Sequence, residues 1–297
     1  MLPQIFYTIG TITPTLAAIE DINPPAYEPV ALGEEAPVAV GAPTPGSPIT
    51  SSLRSTRRLL LSIDGWRSFL RGFGCKFVAT SLTIMCAGFF MSLPFVPYFA
   101  GTLLASLLLV QLHTAWVHIV ISVPNPKPFW HRLQPMRKVF SATWAPVLVS
   151  WAATAAAMEV PRLLSKLAGL TGREGKEPTG KDAVWGLLIS LLWVVLNFFV
   201  AFPAHVVLVR VQASLLAPEE DTIVPFDRSF GGKVEPTLVG GKGYVSMRDA
   251  FVTFPTASWK RVYVLMAKIF AVVMASYVLV AFVIIPEVVL IALLGGK

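Results

Sequence analysis

Charge is scarce in this chain. Only 14% of its 297 residues are Asp, Glu, Lys or Arg, and 17 acidic residues face 24 basic ones. Soluble domains carry about 25% charged residues, so the composition argues against a soluble globular protein. Cysteine is nearly absent. Cys75 and Cys86 offer neither a disulfide framework nor a metal-ligand spacing, and beside apolar runs they read as small hydrophobes. The four histidines, His113, His118, His131 and His205, are too few for a His-rich di-iron site. His113 and His118, five apart, fall on different faces of a helix, which excludes a shared metal. There is no acid-rich diphosphate motif and no G-x-S-x-G elbow. Gly240-Gly241-Lys242-Gly243 lacks the full spacing of a phosphate loop, and Asp227 and Asp249 are lone carboxylates in polar loops. With no catalytic constellation, metal site or cofactor motif, the expectation is a protein that is not an enzyme.

What the chain has is apolar length. It is 55% hydrophobic with mean hydropathy +0.67, and several runs reach the roughly 20 residues that cross hydrocarbon. The runs are continuous rather than alternating, so they read as helices and not as barrel strands. The fold class expected is all-α, a polytopic membrane protein whose partner is the lipid bilayer. Its spans are expected at 77–98, 101–122, 139–158, 185–212 and 263–294, with a possible sixth at the N-terminus. Residues 1–19 read either as a short first membrane helix or as an unstructured tail. Residues 20–50, rich in Pro and acidic residues, read as a disordered linker, which makes 1–50 one unit and 51–297 the membrane domain. From Ser51 an amphipathic pattern sets Arg54, Arg57 and Arg58 against Leu53, Leu59 and Leu60, suited to a membrane surface. Residues 215–260 form a long polar insertion.

Lys and Arg set the topology. Residues 51–76, 123–138 and 210–268 share one side if the five spans alternate, and they carry 18 of the 24 basic residues. Elsewhere stand only Arg162, Lys166, Arg173, Lys176, Lys181 and Lys297. That side stays untranslocated, and a net charge of +7 is explained without nucleic acid.

An internal repeat is visible. Setting Ser122 on Ser214 places His113 on His205 and His118 on Arg210, each copy at the end of a membrane-length run. The segments that follow each basic loop align Trp66, Trp144 and Trp259, aromatics suited to the membrane interface. Pro203-Ala204-His205 with Arg210-Val211-Gln212, and Asp64-Gly65-Trp66-Arg67 running to Gly72, complete the pattern.

On these residues the chain resembles the mitochondrial carrier family, six-helix solute transporters built from three two-helix repeats, each with a surface helix. In that family each odd helix ends in proline, an acidic residue and then a basic one. Here His205 stands in the acidic place after Pro203. The middle copy has Gln111 for proline, His113 for the acid and His118 for the base, and two histidines there cannot form carboxylate ion pairs. The first copy shows no recognisable odd helix. The resemblance implies a mitochondrial membrane, inner over outer, and transport of a small anionic solute by alternating access. His113, His118, His205, Arg210, Gln212 and Lys268 are the cavity or gate candidates, with Asn197 a polar neighbour. The alternative is a non-transporting scaffold that meets protein partners through the 215–260 loop. Transport demands polar groups facing inward between the helices, whereas a scaffold can pack that space with Leu, Phe and Val.

Overall fold

The computed structural model describes residues 6–21, 48–171, 179–235 and 240–295. The structure of most of the predicted linker, 22–47, lies outside the described residues. Among those described no strand forms; Ser122 and Thr222 make an isolated antiparallel bridge.

Helix α1 (Thr8–Ile19) is short and apolar, opening with a π-helical turn. Ile12, Leu16, Ala17, Ala18 and Ile19 are all buried. Of the two readings left open for 1–19, the tail is therefore overturned for 8–19: this segment is a core helix. Helix α2 (Leu53–Asp64) keeps its expected amphipathic character, with Thr56 and Leu60 inward and Arg54, Arg57 and Arg58 exposed. It ends at Gly65, whose φ of +54° favours glycine, and passes through a 3-10 turn, Gly65–Leu70. A second left-handed glycine, Gly72 (φ +69°), starts α3 (Phe73–Ser92). A Cβ at Gly72 would lie 3.0 Å from Cδ1 of Trp116, so the residue also permits close approach to the core.

Helices α4 (Tyr98–Leu108) and α5 (Val110–Ile121) fill the expected second span, but as two pieces bent by 57°. The hairpin of α3 and α4 is tight at Gly101, where a Cβ would come within 2.6 Å of Met91 Cγ. Helix α6 (Met136–Leu167) runs through Pro146 and Pro161. Helix α7 (Gly180–Ala213) contains a π-helical stretch, Asn197–Ala201, just before Pro203. Proline lacks the N–H that would bond the preceding turn, and a local change of helical pitch absorbs the loss. A short helix α8 (Met247–Val252) precedes α9 (Thr256–Gly295).

Among the described residues four helical segments are long and apolar enough to span a bilayer: Leu53–Ser92, Met136–Leu167, Gly180–Ala213 and Thr256–Phe282. The bent pair α4–α5 makes a fifth if it is one span. Large apolar side chains such as Phe77, Met85 and Phe89 on α3, Leu187 and Leu191 on α7, and Leu279 and Phe282 on α9 point outward, as lipid-facing surfaces do. The chain is an all-helical integral membrane protein.

Three helices meet at one end of the bundle. α1, α5 and the last turns of α7 pack against one another pairwise, and their apolar side chains form one buried cluster with Leu60, Phe254, Val262 and Leu265. The polar insertion 215–260 is less solvated than its composition suggests. Leu215, Leu216, Val224, Phe230, Val245, Ala250 and Phe254 are buried, folding it back over these helix ends. Backbone bonds lace the same end shut: Asp21 N–H to Pro225 O at 2.9 Å, Val123 N–H to Asp221 O at 2.8 Å and Ile223 N–H to Ile121 O at 2.9 Å.

Candidate functional site

Between α3, α4, α5, α6 and α7 lies a cavity of about 360 Å³. Towards the laced end it is lined by Lys76, His113, His205 and Gln212, and further along the helices by Thr83, Ser106, Ser150 and Thr154. Lys76 was missed by the sequence reading because it stands one residue before the apolar run expected at 77–98. The signal was there: Lys76, Thr80 and Thr83 recur at helical spacing and make one polar stripe on α3.

Lys76 sets the electrostatics. Its Nζ lies 4.1 Å from the centroid of the Trp116 ring, and among the described residues it makes no hydrogen bond or ion pair. Among the described residues no Asp or Glu lines the cavity. The ammonium is held over an aromatic face, a contact worth up to about 2 kcal/mol when desolvated. Trp116 is fixed in turn: its Nε1–H donates to Tyr7 Oη at 3.0 Å, and Tyr7 Oη donates to Arg71 O at 2.9 Å. Helix α1 thereby contributes to the wall behind the cation.

A hydrogen-bond chain fixes the tautomer of His113. Thr114 Oγ1 donates to Val110 O at 2.9 Å, leaving its oxygen to accept. Gln212 Nε2 donates to that oxygen at 3.2 Å. Gln212 must therefore present Oε1 to His113 Nδ1, 3.0 Å away, so Nδ1 carries the proton and the neutral ring has its lone pair on Nε2. The His205 ring lies 6.2 Å from that of His113, nearly perpendicular to it, and has no hydrogen bond to a described residue. The paired histidines of the repeat do converge, together with Gln212.

The other candidates are placed elsewhere. His118 is buried and donates from Nε2 to Gln212 O at 2.9 Å, stapling α5 to α7 away from the cavity lining. Arg210 points to the loop side of α7. It donates to Ala250 O at 2.9 Å, Ala18 O at 3.2 Å and Thr253 Oγ1 at 3.2 Å. Its guanidinium sits between the rings of Phe230 and Phe254, at 4.9 and 4.6 Å. Lys268 is exposed and donates to Ser51 O at 3.2 Å. Asn197 bonds back to Trp193 O on its own helix. The three tryptophans are not equivalent in their surroundings: Trp66 and Trp144 are exposed, while Trp259 packs edge-on to Phe254 at 4.8 Å. Asp64, Arg67 and Gly72 line a separate hollow of about 320 Å³ with Arg71, Lys127 and Arg132.

At the laced end, arginines bind helix-terminal carbonyls. Arg71 donates to Ile119 O and Ser122 O at the end of α5, Arg210 to Ala18 O of α1, and Arg261 to Ala17 O and Glu20 O. The C-terminus of a helix carries partial negative charge, which favours such partners. Arg132 bridges Ser122 Oγ at 2.6 Å and Glu220 at 3.5 Å. The buried carboxylate in this end is Glu20, 2.8 Å from Arg261. Glu20 begins the segment expected to be a disordered linker, yet it is buried, because it is paired and also accepts from the Thr50 N–H. Among the described residues no three His, Cys, Asp or Glu side chains converge as metal ligands. The chain matches no protein-family model, no curated protein and no solved structure.

Proposed function

We propose that the chain is a carrier-like transporter that moves a small anionic solute by alternating access through the cavity between α3 and α7. The observation that carries this reading is Lys76. Lys76 stands in the first turn of α3, where a lysine ordinarily reaches the interface, yet its ammonium lies over the Trp116 ring beside the cavity and serves no ion pair among the described residues. A non-transporting scaffold has no use for an unpaired ammonium facing a polar cavity. A transporter of anions does.

Two further features support the carrier reading. α1, α5 and the end of α7 converge; α5 is followed by the 3-10 turn Phe129–Arg132 and the long α6, α7 by the short α8 and the long α9, and the long α3 is preceded by the amphipathic α2 and the 3-10 turn Gly65–Leu70. α1 thus takes the place of the odd helix that the sequence does not declare. The loop end is closed by arginine–carbonyl bonds and the Glu20–Arg261 pair, in the position where the family uses carboxylate–cation pairs between odd helices. Opening towards the loops requires their release. By the same resemblance, the membrane is the mitochondrial inner membrane.

The test is uptake into proteoliposomes of radiolabelled small anions: monocarboxylates, dicarboxylates, phosphate and nucleotides. Saturable uptake of one class by the wild type, lost in Lys76→Gln with folding intact, is the expected result. No saturable uptake of any class by well-folded protein would sink the transport reading and favour the scaffold.

A further inference from the structure

The lining of the cavity restricts what it can hold. Among the described residues Lys76 is the one charged side chain facing it. One negative charge is therefore matched. A second would lie in low-dielectric surroundings without a counter-ion, which is costly, and a cationic solute would meet Lys76 with no carboxylate to offset the repulsion.

Three of the hydroxyls on the polar walls have a definite sense. Thr83 Oγ1 donates to Ala79 O at 2.7 Å, Ser106 Oγ to Thr102 O at 2.8 Å and Thr154 Oγ1 to Ser150 O at 2.8 Å. Each hydroxyl proton is turned back into its own helix, as is common for such residues in helices. The oxygens are left with lone pairs only. His113 Nε2 is likewise an acceptor, because Gln212 holds the proton on Nδ1. The cavity thus combines one cation at its closed end with four fixed acceptors above it, while the Thr80 and Ser150 hydroxyls and the His205 ring, which have no hydrogen bond to a described residue, can turn to donate or accept. A solute that satisfies both has one anionic group and several hydroxyl donors. The volume, about 360 Å³, equals roughly twelve water volumes at about 30 Å³ each, the scale of a six-carbon acid.

We infer that the cavity binds a hydroxylated monocarboxylate, its carboxylate on Lys76 Nζ and its hydroxyls donating to Thr83, Ser106, Thr154 and His113 Nε2. This rests on the cavity being the solute site of the transporter proposed above. Carboxylate binding draws Lys76 off the Trp116 ring, and the buried acceptors then discriminate against a chain without hydroxyls, because unpaired polar groups are costly to leave buried.

The test compares four six-carbon probes that differ only in charge and hydroxylation. D-gluconate carries one charge, D-glucarate two and D-glucitol none, while hexanoate has the charge without the hydroxyls. Thermal unfolding of the purified full chain in mild detergent near neutral pH reads binding, since a ligand of the folded state raises Tm by mass action. Gluconate should stabilise, with each of the other three at least about tenfold weaker. Lys76→Arg should retain the gluconate shift and Lys76→Met lose it. The double variant Ser106→Ala, Thr154→Val, which leaves the charge in place, should bring gluconate down to the hexanoate level. Glucarate matching gluconate, a gluconate shift that survives Lys76→Met, or a flat response to gluconate would each overturn the inference. Uptake separates the two readings. Gluconate that binds without crossing proteoliposomes keeps this site and removes transport. Saturable uptake of another anion class with no gluconate binding keeps transport and removes this site.

Discussion

Arg261, 241 positions along the chain from Glu20, closes a 2.8 Å ion pair with it in which both side chains are almost wholly buried. The pair joins α1 to α9, and Arg261 adds bonds to Ala17 O and Glu20 O from its other guanidinium nitrogen. The N-terminal helix is thus fastened to the last helix by charge as well as by apolar contact.

Removing one partner leaves the other buried and uncompensated, which costs about 3–5 kcal/mol. Glu20→Gln should therefore lower stability strongly in thermal unfolding of the detergent-solubilised protein. Arg261→Met alone should do the same, while the double variant should recover much of the loss, giving a coupling energy well above about 1 kcal/mol in a double-mutant cycle. Additive losses would show that the pair does not hold α1 in place.

The positions of the long helices were legible in the sequence because lipid demands continuous apolar length, and 139–158 and 185–212 fall inside α6 and α7. α1 was not legible. It is too short to read firmly as a span, and what marks it as core is Arg261, which donates to its terminal carbonyls across almost the whole chain. The 215–260 insertion misled for the opposite reason: its polar residues dominate the composition, while Val224, Phe230 and Phe254 do the packing. Of the site, the repeat aligned His113 with His205, and the two rings lie 6.2 Å apart. It also paired His118 with Arg210, but their side chains run to different partners, Gln212 O and the loop-side hollow. Which way a side chain leaves its helix is set by its neighbours, and a repeat in sequence does not specify it.

Gln212 governs His113. With Gln212→Leu the Oε1 acceptor is lost, and so is the reason for the proton to reside on Nδ1. Nitrogen chemical shifts of the labelled histidines should show His113 as the Nδ1–H tautomer in the wild type and a mixed population in the variant. The buried His113 Nδ1–H then lacks its partner and Thr114 Oγ1 keeps only its bond to Val110 O, so stability should fall by about 1–3 kcal/mol. A wild-type His113 protonated on Nε2 would contradict the chain of bonds from Val110.

Asp227 gives a pH dependence outside the membrane. Burial pushes its carboxyl up, but this is outweighed by hydrogen bonds from the Ser229 hydroxyl and the Gly231 and Ser229 amides, aided by Arg210, which together hold it below the usual carboxylate range. A group depressed in the folded state stabilises fully above its unfolded value, and that contribution is lost as pH falls through its folded value. Protection of the Ser229 and Gly231 amides from hydrogen exchange should therefore fall on acidification to below the ordinary carboxylate range. In Asp227→Asn it should already be low at neutral pH and lack this acid step.

Lys76 separates what the fold needs from what function needs. Replacing it by methionine removes a cation that no carboxylate offsets and gives up a Trp116 contact worth up to about 2 kcal/mol. The net expectation is a small gain in stability, since methionine fills a similar volume and makes favourable contact with an aromatic ring. Uptake activity should disappear at the same time. Stability gained where activity is lost is the signature of a residue retained for its ligand. Thermal unfolding of wild type and Lys76→Met without ligand, beside uptake by both, checks this. A clear loss of stability in Lys76→Met would assign the lysine to the fold, and the cavity would then lose its one argument for binding an anion.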